Sequence, residues 1–576
     1  MYDIVIRGGT IVDGTGRAAS TGDVAVQGGR IVAVGAVDGT GRREIDADGA
    51  LVTPGWVDIH THYDGQVTWD GLIQPSSQHG VTSIVMGNCG VGFAPARRGA
   101  ADHDFLISLM EGVEDIPGSA LHEGLPWDWE SFPEYLDAVD RRPHAVDIGA
   151  QMPHAALRAY VMGARGADHE IDPTPAEIAE MSRLTEEALL AGAIGFATSR
   201  TINHRSRTGQ KIGSLTASTE ELLGIGEALR RAGRGVFQFV SDLRDVEYEL
   251  GLMERIAREC GRPLSVSLIQ ADPQPDKWRT VLDHLARASA TGADMKAQVC
   301  ARPVGLLMTL QGSMNPFMLC PSYREIEHLP LADRVARMHD PEVRARILAE
   351  HGHDKGSALV KAAAREFNKL FRLGDPPDYE QPEEQSIGAT AARMGVDPKE
   401  LVYDILLERG GEEMLYFPAG NYSRFNLDDA REMVLHPRTL YGLSDGGAHV
   451  GVICDGSFPT YNLVHWVRDR TRGEKIPVET VVKGQTHDTA RHVGWNDRGV
   501  LAPGYKADVN VIDLDGMRLH PPRFTFDLPA GGRRLLQDVD GYRMTMCSGT
   551  VTFVDGEHTG ELPGRLVRGA QAVPTA

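Results

Sequence analysis

The 576-residue chain is predicted to be α/β: a (β/α)8 barrel of the TIM type, with a small β-sandwich domain formed from both chain termini. Three observations predict it. Short apolar strands alternate with amphipathic helical segments through the middle of the chain, strand texture without helices occupies the two ends, and the length exceeds what one compact core holds.

Residues 1–54 alternate Val/Ile runs with glycine breaks, as in "YDIVIRGGTIVDGTG" and "DVAVQGGRIVAVG". Alternating polarity with Gly-Gly or Asp-Gly breaks reads as antiparallel hairpins. From residue 55 the texture changes. Strand-like runs such as "VTSIVMGN", "AVDIGAQM", "AIGFATS", "GVFQFVS" and "PLSVSLIQ" are separated by segments such as "TPAEIAEMSRLTEEALLAG" and "STEELLGIGEALRRAG". Those segments carry helix-period apolar residues and carboxylates in the first turn. About eight such units close a barrel over residues 55–495. A doubly wound open sheet is the alternative, but no glycine-rich phosphate loop follows the first long strand. Residues 310–400, with "LGDPPDYEQPEEQ", break the alternation and are assigned to an insertion or lid. Strand texture returns over 496–568, and 569–576 is expected to be an untethered tail.

Composition narrows the function. Lys and Arg total 59 against 80 Asp and Glu, a net charge of −21 that argues against nucleic-acid or anionic-membrane binding. The N-terminus lacks the basic and apolar regions of a secretory signal, and no apolar run approaches the roughly 18 residues of a membrane span. A cytoplasmic protein is expected. Six cysteines without paired spacing suit a reducing compartment.

Three stretches carry chemistry. In "GWVDIHTHYDG", His60 and His62 lie two apart at the end of an apolar run, so both imidazoles share one face. Such a pair chelates a divalent metal or is merely structural; its position at the end of a barrel strand favours the metal. In "LYGLSDGGAHVG", Asp445 follows a short apolar segment; it is either a turn residue or an acid that ligates metal and accepts a proton from water. A closed barrel makes the first and last strands neighbours, which would bring Asp445 to His60. In "VMGNCGVGFAP", Cys89 is either a thiolate ligand for a borderline metal such as zinc or a buried unreactive thiol.

Together with "DIVIRGGTIVDGTG", "GAIGFATS" and "DRGVLAPGYKADVNVID", these stretches resemble the amidohydrolase superfamily, specifically its N-acyl-D-amino-acid deacylase (D-aminoacylase) branch, over nearly the whole chain. The resemblance implies a metal-dependent hydrolase of an amide-type C–N bond. It also implies His60 and His62 as first-strand ligands, Asp445 as last-strand ligand and catalytic acid/base, and Cys89 as the branch's cysteine ligand. That branch also takes one histidine from each of two middle strands. Here those strands read "GVFQFVSDLRD" and "RPLSVSLIQADPQ", without histidine. Gln238, Asp242 and Gln270 are the polar residues left nearby, and Asp242 is a candidate replacement acid. One Zn2+ is therefore expected in preference to two, with another divalent metal as an alternative.

Candidate substrate-binding residues are Arg200, His204, Arg302 and His449; Arg468 reads as a surface salt-bridge residue, His487 as structural, and Lys296 has no clear role. The expected partner is a small-molecule amide, with no nucleic acid and no membrane, and the chain is expected to be a homo-oligomer. The alternatives are a hydrolase of a cyclic amide, carbamate or aryl amide, for which "GLLMTLQGSMNPFML" would supply an apolar pocket or else a core helix, and a scaffold that keeps the barrel without catalysis.

Overall fold

The computed structural model describes residues 1–352 and 358–575. Eight parallel strands form its central sheet in strict sequence order: β1 (Trp56–Asp58), β2 (Val81–Met86), β3 (Asp147–Pro153), β4 (Gly195–Arg200), β5 (Val236–Ser241), β6 (Leu264–Ser267), β7 (Met295–Val299) and β8 (Thr439–Tyr441). The parallel pairing runs unbroken from β1 to β8. Just beyond the strand ends the two edges meet: Thr61 and Gly446 form a parallel bridge, and the His62 amide donates to Gly446 O at 2.8 Å. The sheet is a nearly closed barrel, not an open doubly wound sheet.

The helices between strands start where the sequence marks them. Thr174 and Glu177 form a reciprocal capping box ahead of the helix Pro175–Ala191, and Ser218 caps the helix Thr219–Ala232. Each such cap satisfies backbone amides that would otherwise lack partners, which contributes about 1 kcal/mol. The apolar faces of these helices pack on the strands in one continuous core that includes Leu189, Leu229, Ile256 and Leu285.

Strands from both ends of the chain share one nine-stranded sheet. Tyr2–Ile11, Ser20–Gln27 and Arg30–Gly35 are antiparallel hairpins, as their polarity predicts, while Gly41–Asp46 and Leu51–Pro54 run parallel to the first strand. The turn between the second and third strands places Gly28 at φ +58° and Gly29 at φ +73°. Two successive left-handed residues are what a tight hairpin of this hand requires, and glycine adopts them without strain. The ends are joined where Leu51–Pro54 pairs antiparallel with Val509–Ile512.

The expected insertion at 310–400 lies inside a longer excursion between β7 and β8; its residues 353–357 fall outside the described residues. Val304–Met308, Leu415–Gly420 and Phe371–Arg372 make a three-stranded sheet with its own apolar cluster, which includes Leu306, Met308, Phe317, Ile347 and Tyr403. The "GLLMTLQGSMNPFML" stretch is thus neither a core helix nor, for the most part, a pocket wall. It begins as a core strand. The tail also differs from expectation. Gln571 pairs with Trp495, and its amide donates to Gly494 O at 2.9 Å, so the segment is tied down at least to that point.

A buried charge cluster connects the barrel to the terminal sheet. Asp147 of β3 accepts from Arg498 at 2.7 Å and lies 3.1 Å from Lys506 Nζ, which also contacts Asp508 at 2.5 Å. Burial pushes the Asp147 carboxyl up, but the Lys506 and Arg498 charges outweigh it and hold the group below its usual range. Removing one member leaves the others charged and uncompensated. Asp147→Asn is expected to lower unfolding free energy by about 3–5 kcal/mol in urea denaturation; a loss below about 1 kcal/mol would show the cluster to be dispensable.

Candidate active site

The barrel strands end in one cavity of about 310 Å³, lined by His60, His62, Cys89, Asp445, His204 and His449 together with residues of β5 and β6 and Val304 of the β7–β8 excursion. Its position at the C-terminal ends of parallel strands is the one where barrel chemistry gathers. Among the described residues, one group of His, Cys, Asp or Glu side chains is clustered closely enough to share an ion: His60, His62 and Cys89, whose donor atoms lie within 4.8 Å of one another.

Each donor is fixed by its neighbours. His60 Nδ1 lies 2.6 Å from Gln298 Oε1, and Gln298 in turn donates to Ser265 Oγ at 2.9 Å. An imidazole donating from Nδ1 carries its lone pair on Nε2, which faces the cavity. Burial pushes the His60 pKa down to about 4, keeping the ring neutral as a ligand must be. His62 Nδ1 lies 3.3 Å from Glu114 Oε1, within ion-pair range but without hydrogen-bond alignment. Burial disfavours the His62 cation, yet Glu114, Asp445 and Cys89 outweigh burial and hold its pKa well above the usual value. The surplus of negative donors around this ring is an environment that calls for a cation.

Cys89 follows β2 through Gly87, whose φ is +82° and whose missing Cβ would sit 2.1 Å from Gln151 O. Only glycine passes there, and the chain is thereby turned so that Cys89, itself at φ +55°, aims Sγ at His60. The Cys89 amide donates to Gln238 Oε1 at 3.0 Å, which fixes the backbone. Burial pushes the free thiol up to about 11; a bound divalent ion reverses such a shift. Asp445 and His449 are also left-handed, at φ +47° and +51°. Strained non-glycine residues gather at functional sites because the surroundings hold them there.

The donor spacing tests the fit to a metal. His60 Nε2 lies 3.3 Å from Cys89 Sγ and 3.3 Å from Asp445 Oδ1, and His62 Nε2 lies 3.5 Å from the same Oδ1. Ligands at the usual zinc bond lengths, set tetrahedrally, stand about 3.3–3.7 Å apart. Two imidazoles, a thiolate and a carboxylate are also a donor set that zinc accepts. Three of the six donor pairs stand at that spacing, and the donor types present fit the ion.

Other candidates fall elsewhere. His204 lines the cavity with Nδ1 2.8 Å from Ser199 Oγ, and burial pushes its pKa down to about 3. His449 lines it too, with Nε2 3.5 Å from Glu114 Oε2. Asp242 reaches the cavity, but its carboxylate is already engaged, accepting from Thr201 Oγ1 at 2.5 Å and from the Ile202 amide at 3.0 Å. It does not replace the missing ligands. Gln270 points away, donating to Asp429 and Pro275 O. Arg200 and Arg302, both expected to meet substrate, are instead structural. Arg200 makes a multidentate pair with Glu249 at 2.9–3.1 Å, and Arg302, 2 % exposed, pairs with Asp455 and lies 4.1 Å from the Tyr379 ring centre. Neither lines the cavity. Arg468 pairs with its neighbour Asp469, and His487 with Asp488 at 2.9 Å; Lys296 is half-buried on β7.

Two residues that the motifs did not signal belong to the site. Glu114 ends the helix Ala100–Glu114 and lies between His62 and His449. Lys277 opens the helix Lys277–Ala290 and lines the cavity wall. The only sequence signal for Glu114 is an acid near the end of an apolar helix, "SLMEGVEDIP".

Residues 43–553 match the amidohydrolase family. The chain is 28% identical to a D-aminoacylase of Alcaligenes xylosoxydans xylosoxydans over 89% of this chain and 88% of that one, and 27% identical to an N-acyl-D-aspartate deacylase of the same organism over 99% and 96%. The crystal structure of an N-acyl-D-glutamate deacylase of Bordetella bronchiseptica, complexed with zinc and a phosphonate inhibitor, superimposes with a TM-score of 0.63 at 23% identity, covering 98% and 99% of the two chains.

The placement of Arg302 has a measurable consequence. Arg302→Met, which leaves Asp455 buried without its partner, is expected to cost about 3–5 kcal/mol of stability in urea unfolding. A stability loss below about 1 kcal/mol together with a raised KM would instead assign Arg302 to the substrate.

Proposed function

Because the chain belongs to the amidohydrolase family and is a hydrolase acting on C–N bonds, we propose that it is a metal-dependent deacylase of N-acyl-D-amino acids. The observation that carries this reading is the cluster of His60, His62 and Cys89, whose donor atoms lie within 4.8 Å of one another, with Asp445 Oδ1 3.3 Å from His60 Nε2 and 3.5 Å from His62 Nε2. Relatives named as a D-aminoacylase and an N-acyl-D-aspartate deacylase, aligned along most of the chain, support the substrate class.

One divalent ion, with zinc the best match to the donors, would be held by these four residues; when bound it supplies Lewis acidity, polarising the amide carbonyl and acidifying water. The side chains do the rest. Asp445 presents Oδ1 to both imidazoles, leaving Oδ2 to accept a proton from the attacking water and return it to the leaving nitrogen as the C–N bond breaks. The products are a carboxylic acid and a free amine. Glu114 orients His62, Gln298 orients His60, and His449 and His204 stand at the mouth where they can meet the substrate carbonyl. A single ion is preferred because the two middle strands offer no further ligands: Asp242 is engaged by the Thr201 hydroxyl and the Ile202 amide, and Leu268 lines the cavity without a donor atom.

Metal analysis and kinetics test the reading together. The purified protein is expected to carry one equivalent of zinc or a similar ion and to release acetate from N-acetyl-D-methionine. Asp445→Ala and His60→Ala are expected to lose about 10²–10⁴-fold or more in kcat/KM with unchanged circular dichroism. Full turnover by metal-depleted His60→Ala protein would overturn the proposal.

A further inference from the structure

Charge around the cavity is uneven in a way that the deacylase reading leaves unused. Three carboxylates line it, Glu114, Asp242 and Asp445, against one lysine or arginine, Lys277. Lys277 Nζ donates to Asp242 O at 3.1 Å and Leu243 O at 3.0 Å, the two carbonyls just past the end of β5. Leu243 stands at φ +48°, a left-handed turn that lets both carbonyls reach one ammonium. An ammonium has three protons, so one is left for a ligand. Among the described residues no carboxylate lies within 4.0 Å of Lys277; the nearby Asp242 carboxylate is engaged by Thr201 and Ile202. Arg200 and Arg302 are held by Glu249 and Asp455, and the exposed Arg244, 3.5 Å from the Asp242 carboxylate, does not line the cavity.

We propose that Lys277 is the residue that anchors the substrate's α-carboxylate, and that the site takes a substrate with that one carboxylate and an apolar side chain. The assignment rests on the deacylase reading above. The two backbone carbonyls hold Nζ in place before substrate arrives, so little side-chain freedom remains to be lost on binding. Beside it, Val240, Leu243, Leu268, Ile269, Val304 and Leu443 form a largely apolar wall. A second carboxylate, as in an N-acyl aspartate or glutamate, finds no second lysine or arginine lining the cavity and meets Glu114 and Asp242, the latter already beside Arg244. Lys277 thus separates this site from one built for acidic side chains.

The test measures binding and turnover separately, on the metal-loaded protein, with N-acetyl-D-leucine, N-acetyl-D-leucinamide and N-acetyl-D-glutamate. By calorimetry, or by KM where the ligand is turned over, the wild type is expected to bind the leucine acid about 10–100-fold more tightly than its amide, the range of a charge-assisted contact, and more tightly than the glutamate. In Lys277→Met the acid-to-amide preference is expected to collapse toward unity, and Lys277→Arg is expected to restore part of it. An acid-to-amide ratio that is the same in wild type and Lys277→Met, or a glutamate bound as well as leucine, overturns the assignment. Tight, Lys277-dependent binding of the acid without its hydrolysis supports the assignment while overturning the catalytic reading, so the two failures are distinct.

Discussion

Everything at the site depends on the seam where the barrel closes. The Asp445 amide donates to His60 O at 3.2 Å, and the His62 amide donates to Gly446 O at 2.8 Å. Those two bonds bring residues from opposite ends of the barrel sequence into backbone contact, and the side chains inherit the alignment. Because successive side chains alternate in direction along extended backbone, His60 and His62 face the cavity together while Thr61, between them, turns its hydroxyl to Val85 O at 2.9 Å. If the seam slipped by one residue, the imidazoles would leave the site. A nearly closed barrel is thus a requirement of the donor set and not only its container.

The second constraint is electrostatic. Asp445 and Glu114 crowd the two imidazoles, and Cys89 adds a thiol that burial alone would keep protonated. Such an arrangement is costly for an isolated protein interior and favourable around a divalent cation. Oriented partners reinforce it: Gln298 on His60, Glu114 on His62, Gln238 on the Cys89 backbone. The left-handed strain at Cys89, Asp445 and His449 fits the same picture, in which local backbone preference yields to the geometry of one point in space. A barrel kept only as a scaffold would need none of these features.

The barrel was legible because each unit announces itself locally. Capping pairs such as Thr174 with Glu177, apolar runs of strand length and glycine-rich hairpins are short-range signals, and they agree with the observed elements. The H-x-H pair, Asp445 and Cys89 were legible as motifs, since each stands just past an apolar strand, Cys89 and Asp445 next to glycines. What the sequence hides is tertiary. Arg200 and Arg302 looked available because their partners Glu249 and Asp455 come from distant segments. Glu114 was hard to single out because its helix end meets His62 and His449 only in the folded chain. Asp242 looked like a spare ligand, but Thr201 and Ile202 engage it from the neighbouring strand's loop. Lys277 reads as an ordinary helix-opening residue until the Asp242–Leu243 turn is seen to hold its ammonium.

The central claim, one ion held jointly by two imidazoles, the Cys89 thiolate and the Asp445 carboxylate, is tested most directly by X-ray absorption spectroscopy of the zinc-loaded protein. The expected first shell has one sulfur at about 2.3 Å and three nitrogen or oxygen neighbours at about 2.0–2.2 Å, with one zinc per chain and the sulfur contribution lost in Cys89→Ser. A shell of nitrogen and oxygen alone, or a zinc–zinc vector from two ions per chain, would contradict it.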